Sequence, residues 1–149
     1  MSNQIDIAIR IFANGDYIQK IILLPGPFSI HIENGSAHLK KSFSIWMDAY
    51  LVKSPLPIYT FQLDTQGTLF QQKAWKEISK VPFGTTLSYK LLGKNMGSET
   101  YARAVGNACN QNRFPLLIPC HRIVQTNGNL GGFAYSKKIK EILLEHEKK

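Results

Sequence analysis

The chain has 149 residues, of which 44% are hydrophobic and 11% aromatic, which excludes a disordered protein and predicts one compact domain or two small ones. Its net charge of +8 is typical of proteins that bind polyanions such as nucleic acid, although many basic proteins bind none. The chain has only two cysteines and no set of four metal ligands, which predicts a protein without a disulfide, metal or cofactor. It has no apolar run of about 20 residues and no signal-peptide pattern, which predicts a cytoplasmic protein without a membrane span.

The first third of the chain is predicted to be a small α/β domain. Alternating apolar residues predict a strand over 5–12, the turn signal at 14–16 predicts a return strand over 17–24, and a third strand is predicted over 28–33, after the break at 25–27. Helical spacing of apolar residues predicts one helix, over 36–52. The stretch KSPLP after this helix is stiffened by its prolines and is typical of a linker. We therefore place the domain boundary there, with an N-terminal domain over 1–56 and a C-terminal domain over 57–149.

The C-terminal domain is predicted to be mostly helical. Thr68 and Gln71 have the spacing of a capping box and predict a helix that ends near Pro82. Further helices are predicted over 86–94, 98–111 and 136–148. The first two of these are short and are joined by a turn that contains Gly97, which indicates a helix-turn-helix, although any helical hairpin would give the same pattern.

Small residues surround Arg103 in the second of these short helices, in the sequence YARAVGNA. Small side chains let a helix backbone approach a surface closely, and Arg103 stands out among them. An arginine here is either a solvated surface residue or a cation or planar wedge that enters nucleic acid. Its position alone does not separate these two interpretations.

Cys120 lies in the sequence RFPLLIPCHRIV, which is apolar, carries two prolines and is predicted to be extended over 113–124. A buried thiol is usually inert, but His121, Arg122 and the nearby lysines would favour a reactive thiolate. Neighbouring residues of an extended chain face opposite sides, so we expect a water to link His121 to Cys120.

The last helix is predicted to bury four side chains, those of Ile139, Ile142, Leu143 and His146. Glu147 lies at the edge of this buried face. A carboxylate in that position is either an ordinary surface group or a partner that orients His121. In the second case it would complete a chain of groups from Cys120 through water and His121 to Glu147.

Three segments, YARAVGNACNQN, IPCHRIV and LLEHE, together with their spacing, resemble the DNA repair methyltransferases that act on O6-alkylguanine. The resemblance covers residues 68–147. It implies an α+β fold, with a small ribonuclease H-like α/β domain followed by a mostly helical, winged-helix-like domain that carries a helix-turn-helix. It also implies that an alkyl group passes irreversibly, in a single turnover, from O6-alkylguanine or O4-alkylthymine in DNA to Cys120.

The same resemblance assigns roles to residues of the reaction centre. Cys120 is the alkyl acceptor, His121 the base that acts through water, and Glu147 the group that orients His121. Asn112 supports the turn that carries the cysteine. Tyr89 meets the phosphate beside the target, helps to rotate the nucleotide out of the helix and can donate a proton to the leaving guanine.

Further positions are implied to contact DNA or the extruded base. Arg103 fills the gap in the base stack, and the backbone carbonyls of Cys120 and Ile123 recognise the exocyclic amine of guanine. Other implied contacts to DNA come from Ala102, Ala104, Gly106 and Arg122, and Ala134 contacts the base. The implied partner is double-stranded DNA containing O6-alkylguanine, bound by a monomer through the minor groove, in the cytoplasm on the nucleoid or in a eukaryotic nucleus.

Three other functions fit parts of the pattern. A Cys-His-Glu hydrolase would need an oxyanion hole and does not account for the RAVG segment. A damage sensor related to the alkyltransferases would lack the acceptor cysteine, which is present here. A transcription factor would need polar residues that read bases, and the helix after Ser98 is rich in alanine.

Two stretches depart from the family pattern. One is Arg113, and the other is 133–136, where the alkyl side of the pocket is expected.

Overall fold

The chain folds as two compact units, Met1–Thr65 and Gln66–Lys149, in a computed structural model that describes residues 5–131 and 136–148. The boundary lies nine residues beyond the predicted one. Residues 57–65 belong to the first unit because they contain a short strand, Gln62–Leu63, which pairs with Tyr17–Pro25. The mixed α+β composition agrees with the predicted fold class.

The first unit is built on a four-stranded sheet. In chain order its elements are β1 (Ile7–Gly15), β2 (Tyr17–Pro25), β3 (Ser29–Gly35), α1 (Ala37–Leu51) and β4 (Gln62–Leu63). The strand order is β3-β1-β2-β4, in which β1 pairs antiparallel with β2 and parallel with β3. The buried side chains of α1 are the five that its helical spacing indicates, namely Leu39, Phe43, Trp46, Met47 and Tyr50. The three predicted strands and the helix of this unit are confirmed, with ends that differ from the prediction by at most three residues.

The second unit begins with the helix α2 (Leu69–Ile78), which is bonded to a later helix of the same unit. It starts at the predicted capping box, in which Thr68 and Gln71 bond to each other's backbone N–H groups. Its Trp75 is buried, and the indole N–H donates to the backbone oxygen of Ala108 at 2.8 Å. This bond ties α2 to the helix in which Ala108 lies.

A helical hairpin comes next in the chain, made of α3 (Tyr89–Asn95) and α4 (Ala102–Asn110). The predicted helix from Ser98 begins instead as a separate 3-10 turn, Glu99–Tyr101, which Ser98 caps. The hairpin is tight at Gly93, where an added Cβ would lie 3.0 Å from the backbone oxygen of Ser98. Glycine is therefore required for α3 to approach the start of α4 this closely.

The segment predicted to be extended instead turns at the cysteine. Residues Cys120–Arg122 form a 3-10 turn because the N–H groups of Arg122 and Ile123 donate to the backbone oxygens of Pro119 and Cys120. The chain continues as β6 (Ile123–Val124), which pairs in parallel with β5 (Leu87–Ser88). The prediction of an extended chain is therefore wrong at Cys120–Arg122. It is also wrong over 115–117, which form a turn closed by a hydrogen bond from the Ile118 N–H to the backbone oxygen of Phe114.

The last helix, α5 (Lys137–Glu147), is capped by Ser136. Its buried face consists of Ile139, Lys140, Leu143 and Glu147. The predicted face is therefore wrong in part, because Ile142 and His146 are only half-buried. The face is rotated so that a lysine and a glutamate point into the protein, and both groups belong to the site around Cys120.

Candidate active site around Cys120

The thiol of Cys120 is buried, at 1% exposure, and is held by Asn112. The side-chain amide of Asn112 donates to the sulfur at 3.2 Å and to the backbone oxygen of Ile118 at 2.9 Å. Its oxygen accepts the N–H of Phe114 at 2.9 Å. Asn112 therefore bridges the chain on both sides of the segment that leads to the cysteine.

The surroundings of Cys120 favour the neutral thiol in the free protein. Burial raises the pKa of Cys120 above its ordinary value, and a hydrogen bond with the Cys109 thiol raises it further. The Asn112 amide and the charge of Lys140 oppose this shift without cancelling it. The predicted thiolate is therefore wrong for the free protein, because burial outweighs the nearby positive charge. A base must take the proton when the sulfur reacts.

His121 is placed to be that base. Its Nε2 lies 2.6 Å from Oε2 of Glu147, and both side chains are buried. An ionised carboxylate can only accept hydrogen bonds, so Nε2 carries the ring proton and donates a hydrogen bond to Glu147. Burial lowers the pKa of His121 and keeps the ring neutral. Its Nδ1 is buried and has no hydrogen-bond partner among the described residues, which leaves a lone pair that can accept a proton.

Glu147 is shared between His121 and Arg122. The Nε and Nη2 atoms of Arg122 donate to the two carboxylate oxygens at 2.7 and 3.2 Å, and Nη1 donates to the backbone oxygen of Val81 at 2.8 Å. Burial alone would raise the pKa of Glu147, but His121 and Arg122 together hold it far below its usual range. The carboxylate is therefore ionised at every physiological pH.

Arg122 is buried and does not lie on the surface, where the DNA contact implied by the resemblance would require it. Its side chain is 4% exposed, and its guanidinium lies 5.8 Å from the centre of the Phe83 ring. The fork of N–H groups that could hold a phosphate is occupied by Glu147 and Val81. The prediction is wrong because the charge is consumed inside the protein, where it fixes the carboxylate.

Lys140 is a site residue that the sequence analysis missed. Its side chain is fully buried, and its ammonium donates to the backbone oxygen of Ile123 at 2.6 Å and to the Tyr89 hydroxyl at 3.4 Å. Burial lowers the pKa of Lys140 to about 8, against the opposing effect of the Cys109 and Cys120 sulfurs. The available signal was its spacing, because Lys140 precedes Leu143 by three residues and Glu147 by seven and so shares their face of the helix.

Tyr89 lies between this lysine and the loop that contains Gly131. Burial raises the pKa of its hydroxyl, which therefore stays protonated and can act as a donor. Its ring lies 5.6 Å below the ammonium of Lys140. Gly131 packs against the edge of the Tyr89 ring at Cε2, since a Cβ added to this glycine would lie 3.0 Å from that atom.

The predicted DNA-contacting residues of α4 lie on its surface. Arg103 is exposed and Gly106, three residues later, is half-buried, with nothing within 4 Å of an added Cβ. Ala102 and Ala104 are half-buried. Arg103 and Gly106 share a face that a flat partner could approach closely. Ala134, predicted to contact the base, lies outside the described residues.

The net positive charge of the protein comes entirely from the second unit. Residues 66–149 hold thirteen lysines and arginines and five acidic residues, whereas residues 1–65 hold five of each. Within residues 5–131 and 136–148, no three His, Cys, Asp or Glu side chains are grouped to hold a metal ion. No helix in the same ranges is both long and apolar enough to cross a membrane.

Comparison with protein families gives a match over all but the first three residues of this unit. Residues 69–149 match the family model described as "6-O-methylguanine DNA methyltransferase, DNA binding domain". A Saccharomyces cerevisiae protein named methylated-DNA--protein-cysteine methyltransferase is 42% identical over 110 residues, which is 73% of this chain and 58% of the yeast protein. A Methanosarcina acetivorans protein of the same name is 38% identical over 101 residues, 68% of this chain and 64% of that protein. The chain thus spans less than two thirds of either relative.

Solved structures resemble the fold along nearly the entire chain. The Mycobacterium tuberculosis O6-methylguanine methyltransferase matches with a TM-score of 0.73 and 27% identity, covering 95% of this chain and 93% of that one. A structure of Mycobacterium tuberculosis OGT in complex with DNA matches with the same TM-score and identity, covering 94% of this chain and 92% of the other. Both units of the fold therefore have counterparts in these proteins.

Proposed function

The chain belongs to the O6-methylguanine DNA methyltransferase family, as its motifs predicted, and we propose that it repairs DNA by accepting the alkyl group of O6-alkylguanine irreversibly on Cys120. One observation carries the proposal. His121, next to the buried thiol, has its Nε2 fixed by Glu147 and its Nδ1 left without a partner among the described residues. This is the arrangement that a thiol with a raised pKa needs in order to lose its proton during the reaction.

The proton of Cys120 passes in this proposal through a water to Nδ1 of His121. Glu147 stabilises the imidazolium that results, since its carboxylate is ionised and buried beside the ring. The sulfur then attacks the alkyl carbon in line, so that a carbon–sulfur bond forms as the carbon–O6 bond breaks. The electron pair of the broken bond stays on guanine, which takes a proton from the Tyr89 hydroxyl. The thioether on Cys120 is stable, so each molecule acts once.

Tyr89 can supply that proton because its hydroxyl is protonated and adjacent to a cation. The ammonium of Lys140 donates to the hydroxyl oxygen, and this contact would stabilise the phenolate left after the transfer. The phenolate would recover its proton from solvent after the base departs. Tyr89 is thus both a contact to the nucleotide and a proton donor in this scheme.

The base must leave the duplex before the sulfur can reach it. Extrusion of a nucleotide costs a few kcal/mol, and less for a base whose pairing is already weakened by alkylation. We assign the helical hairpin of α3 and α4 to the minor groove, with Arg103 in the vacated position and Gly106 against the backbone of the DNA. The exposure of Arg103 and the open space beside Gly106 support this placement.

Several finer assignments belong to the same proposal. DNA binding and alkyl acceptance are functions of the second unit, which carries all of the excess positive charge. The protein is expected to act as a monomer on double-stranded DNA, in the cytoplasm or a nucleus, and to accept O4-alkylthymine as well. Descriptions of the first unit as ribonuclease H-like and of the second as winged-helix-like stay predictions.

The test is mass spectrometry after incubation with a duplex that contains one O6-methylguanine. We expect one added methylene mass on the Cys120 peptide, saturating at one per protein, with the Cys109 peptide unchanged as an internal control. Cys120→Ala should still bind the damaged duplex. Binding without any adduct would instead indicate a damage sensor, and loss of both would overturn the proposed function.

A further inference from the structure

Lys140 has surroundings that are unusual for a lysine. Its side chain has no exposed surface, and lysine is almost never buried completely unless its ammonium is bonded. Here a bond of 2.6 Å goes to the backbone oxygen of Ile123, which begins the strand β6 directly after the 3-10 turn of Cys120. A charge-assisted bond of this length fixes the direction of the oxygen that receives it.

The backbone of Ile123 is therefore fixed by hydrogen bonds at both its N–H and its carbonyl oxygen. Its N–H donates to the backbone oxygen of Cys120, and its own oxygen accepts from Lys140. Each of these two carbonyl oxygens has a second lone pair that can accept another donor. These are the two carbonyls to which the resemblance assigns recognition of the exocyclic amine of guanine. The ammonium therefore orients one of the two acceptors that would read the base.

We propose that Lys140 is a specificity-determining positioning residue, which holds the Ile123 carbonyl so that its second lone pair accepts the exocyclic amine of the flipped guanine. The inference rests on the proposed function and adds to it a residue that selects guanine over bases without this amine. Without the ammonium, the buried carbonyl would turn or take up water, and the amine would have to displace that water.

A second effect of Lys140 must be separated from the first. Its charge also acts on Cys120, so loss of the charge should slow transfer from every substrate by a common factor. Positioning of the Ile123 carbonyl affects only substrates that carry the amine. The ratio of transfer rates for two substrates that differ in the amine alone therefore isolates the positioning role.

The experiment compares duplexes containing O6-methylguanine and O6-methylhypoxanthine, which lacks the exocyclic amine. We expect the wild-type protein to prefer O6-methylguanine, and Lys140→Met to reduce this preference about ten-fold, the value of one good hydrogen bond. Methionine retains the apolar stem that the pocket packs. Lys140→Gln, which keeps a neutral donor, should retain more of the preference than Lys140→Met while showing the same common loss of rate.

Lys138→Met serves as the matched control, because Lys138 lies on the same helix with its side chain exposed. It should change neither rate. Affinities for the two duplexes are measured in parallel in a Cys120→Ala background, so that the preference is determined even if no alkyl group is transferred. Failure of transfer by the wild type would then count against the proposed function alone.

Equal losses on the two substrates, with the preference for the amine unchanged in both rate and affinity, would overturn the inference. Thermal unfolding of each variant shows whether it is folded. If Lys140→Met does not fold, the comparison of Lys140→Gln with the wild type decides the outcome.

Discussion

Glu147 is the group on which two parts of the site depend, and its replacement by glutamine separates them. Glu147→Gln keeps the shape of the side chain but leaves the buried guanidinium of Arg122 without a counter-charge. Removal of one partner of a buried ion pair costs about 3–5 kcal/mol. That is a large part of the about 5–15 kcal/mol by which natural domains are stable. We therefore expect a clear shift of urea-induced unfolding to lower concentrations of urea.

The double substitution Glu147→Gln with Arg122→Met tests the cause of this loss. No charge is then left buried at the pair, so the double variant should be more stable than the sum of the single losses predicts. We expect a coupling free energy of at least about 2 kcal/mol, which is within the range for residues in direct contact. Transfer should stay slow in the double variant, because His121 still lacks a carboxylate partner.

The measurements are urea unfolding of the four proteins and single-turnover transfer from a damaged duplex. Recovery of stability without recovery of transfer would show that Glu147 balances Arg122 for the fold and orients His121 for the reaction. Strictly additive losses of stability would refute the reasoning, since they would mean that the two charges do not depend on each other. Recovery of both stability and transfer would refute the role assigned to His121 and Glu147.

Four further outcomes are expected. Arg103→Ala should slow repair of duplex DNA about ten-fold, because the arginine offsets a part of the few kcal/mol that extrusion of the nucleotide costs. Repair in a single strand should slow much less, and equal losses on the two substrates would exclude the role of Arg103 as a wedge in the base stack. Gly106→Ala should raise stability by up to about 1 kcal/mol, because alanine favours helices and its Cβ would meet nothing within 4 Å, and yet weaken DNA binding; unchanged binding would remove α4 from the interface. Because burial lowers the pKa of His121, this base stays neutral as the pH falls through about 6.5, so transfer should decline only below that value, and a midpoint at 6.5 would contradict it. Above the pKa of Lys140, about 8, the preference for the exocyclic amine should weaken, and a preference constant to pH 10 would count against its charged form.

Helices and strands that are determined by residues close together in the chain were predictable from the sequence. The strands of the first unit follow from alternation, α1 from its helical spacing, and α2 from the capping box at Thr68. The turn at Cys120–Arg122 was not predictable, because an apolar run with two prolines has no period that distinguishes an extended chain from a short turn. The roles proposed for the site came from the family resemblance, since periodicity does not identify a reactive cysteine.

Contacts between distant residues account for the rest of the differences. Arg122 and Glu147 are 25 residues apart, and Lys140 is 17 residues from Ile123. No local pattern marks these pairs. Nothing near Arg122 in the chain indicates that it is buried, and the spacing that puts Lys140 on the buried face of α5 does not identify Ile123 as its partner. Only the fold shows that each charge is buried and bonded to acceptors inside the protein. For this reason the sequence analysis placed Arg122 on the DNA and overlooked Lys140.

The buried pair of Arg122 and Glu147 affects the chemistry of the site as well as the stability of the fold. An apolar pair in place of a buried ion pair is often as stable or more stable, so stability alone does not explain why Arg122 and Glu147 occupy this position. Arg122 helps to keep Glu147 ionised, and the ionised carboxylate holds the proton of His121 on Nε2. Nδ1 is thereby left as an acceptor on the ring adjacent to a thiol whose burial requires a base. In the proposed reaction, Arg122 thus acts on the chemistry of Cys120 through two intermediate groups, from inside the protein.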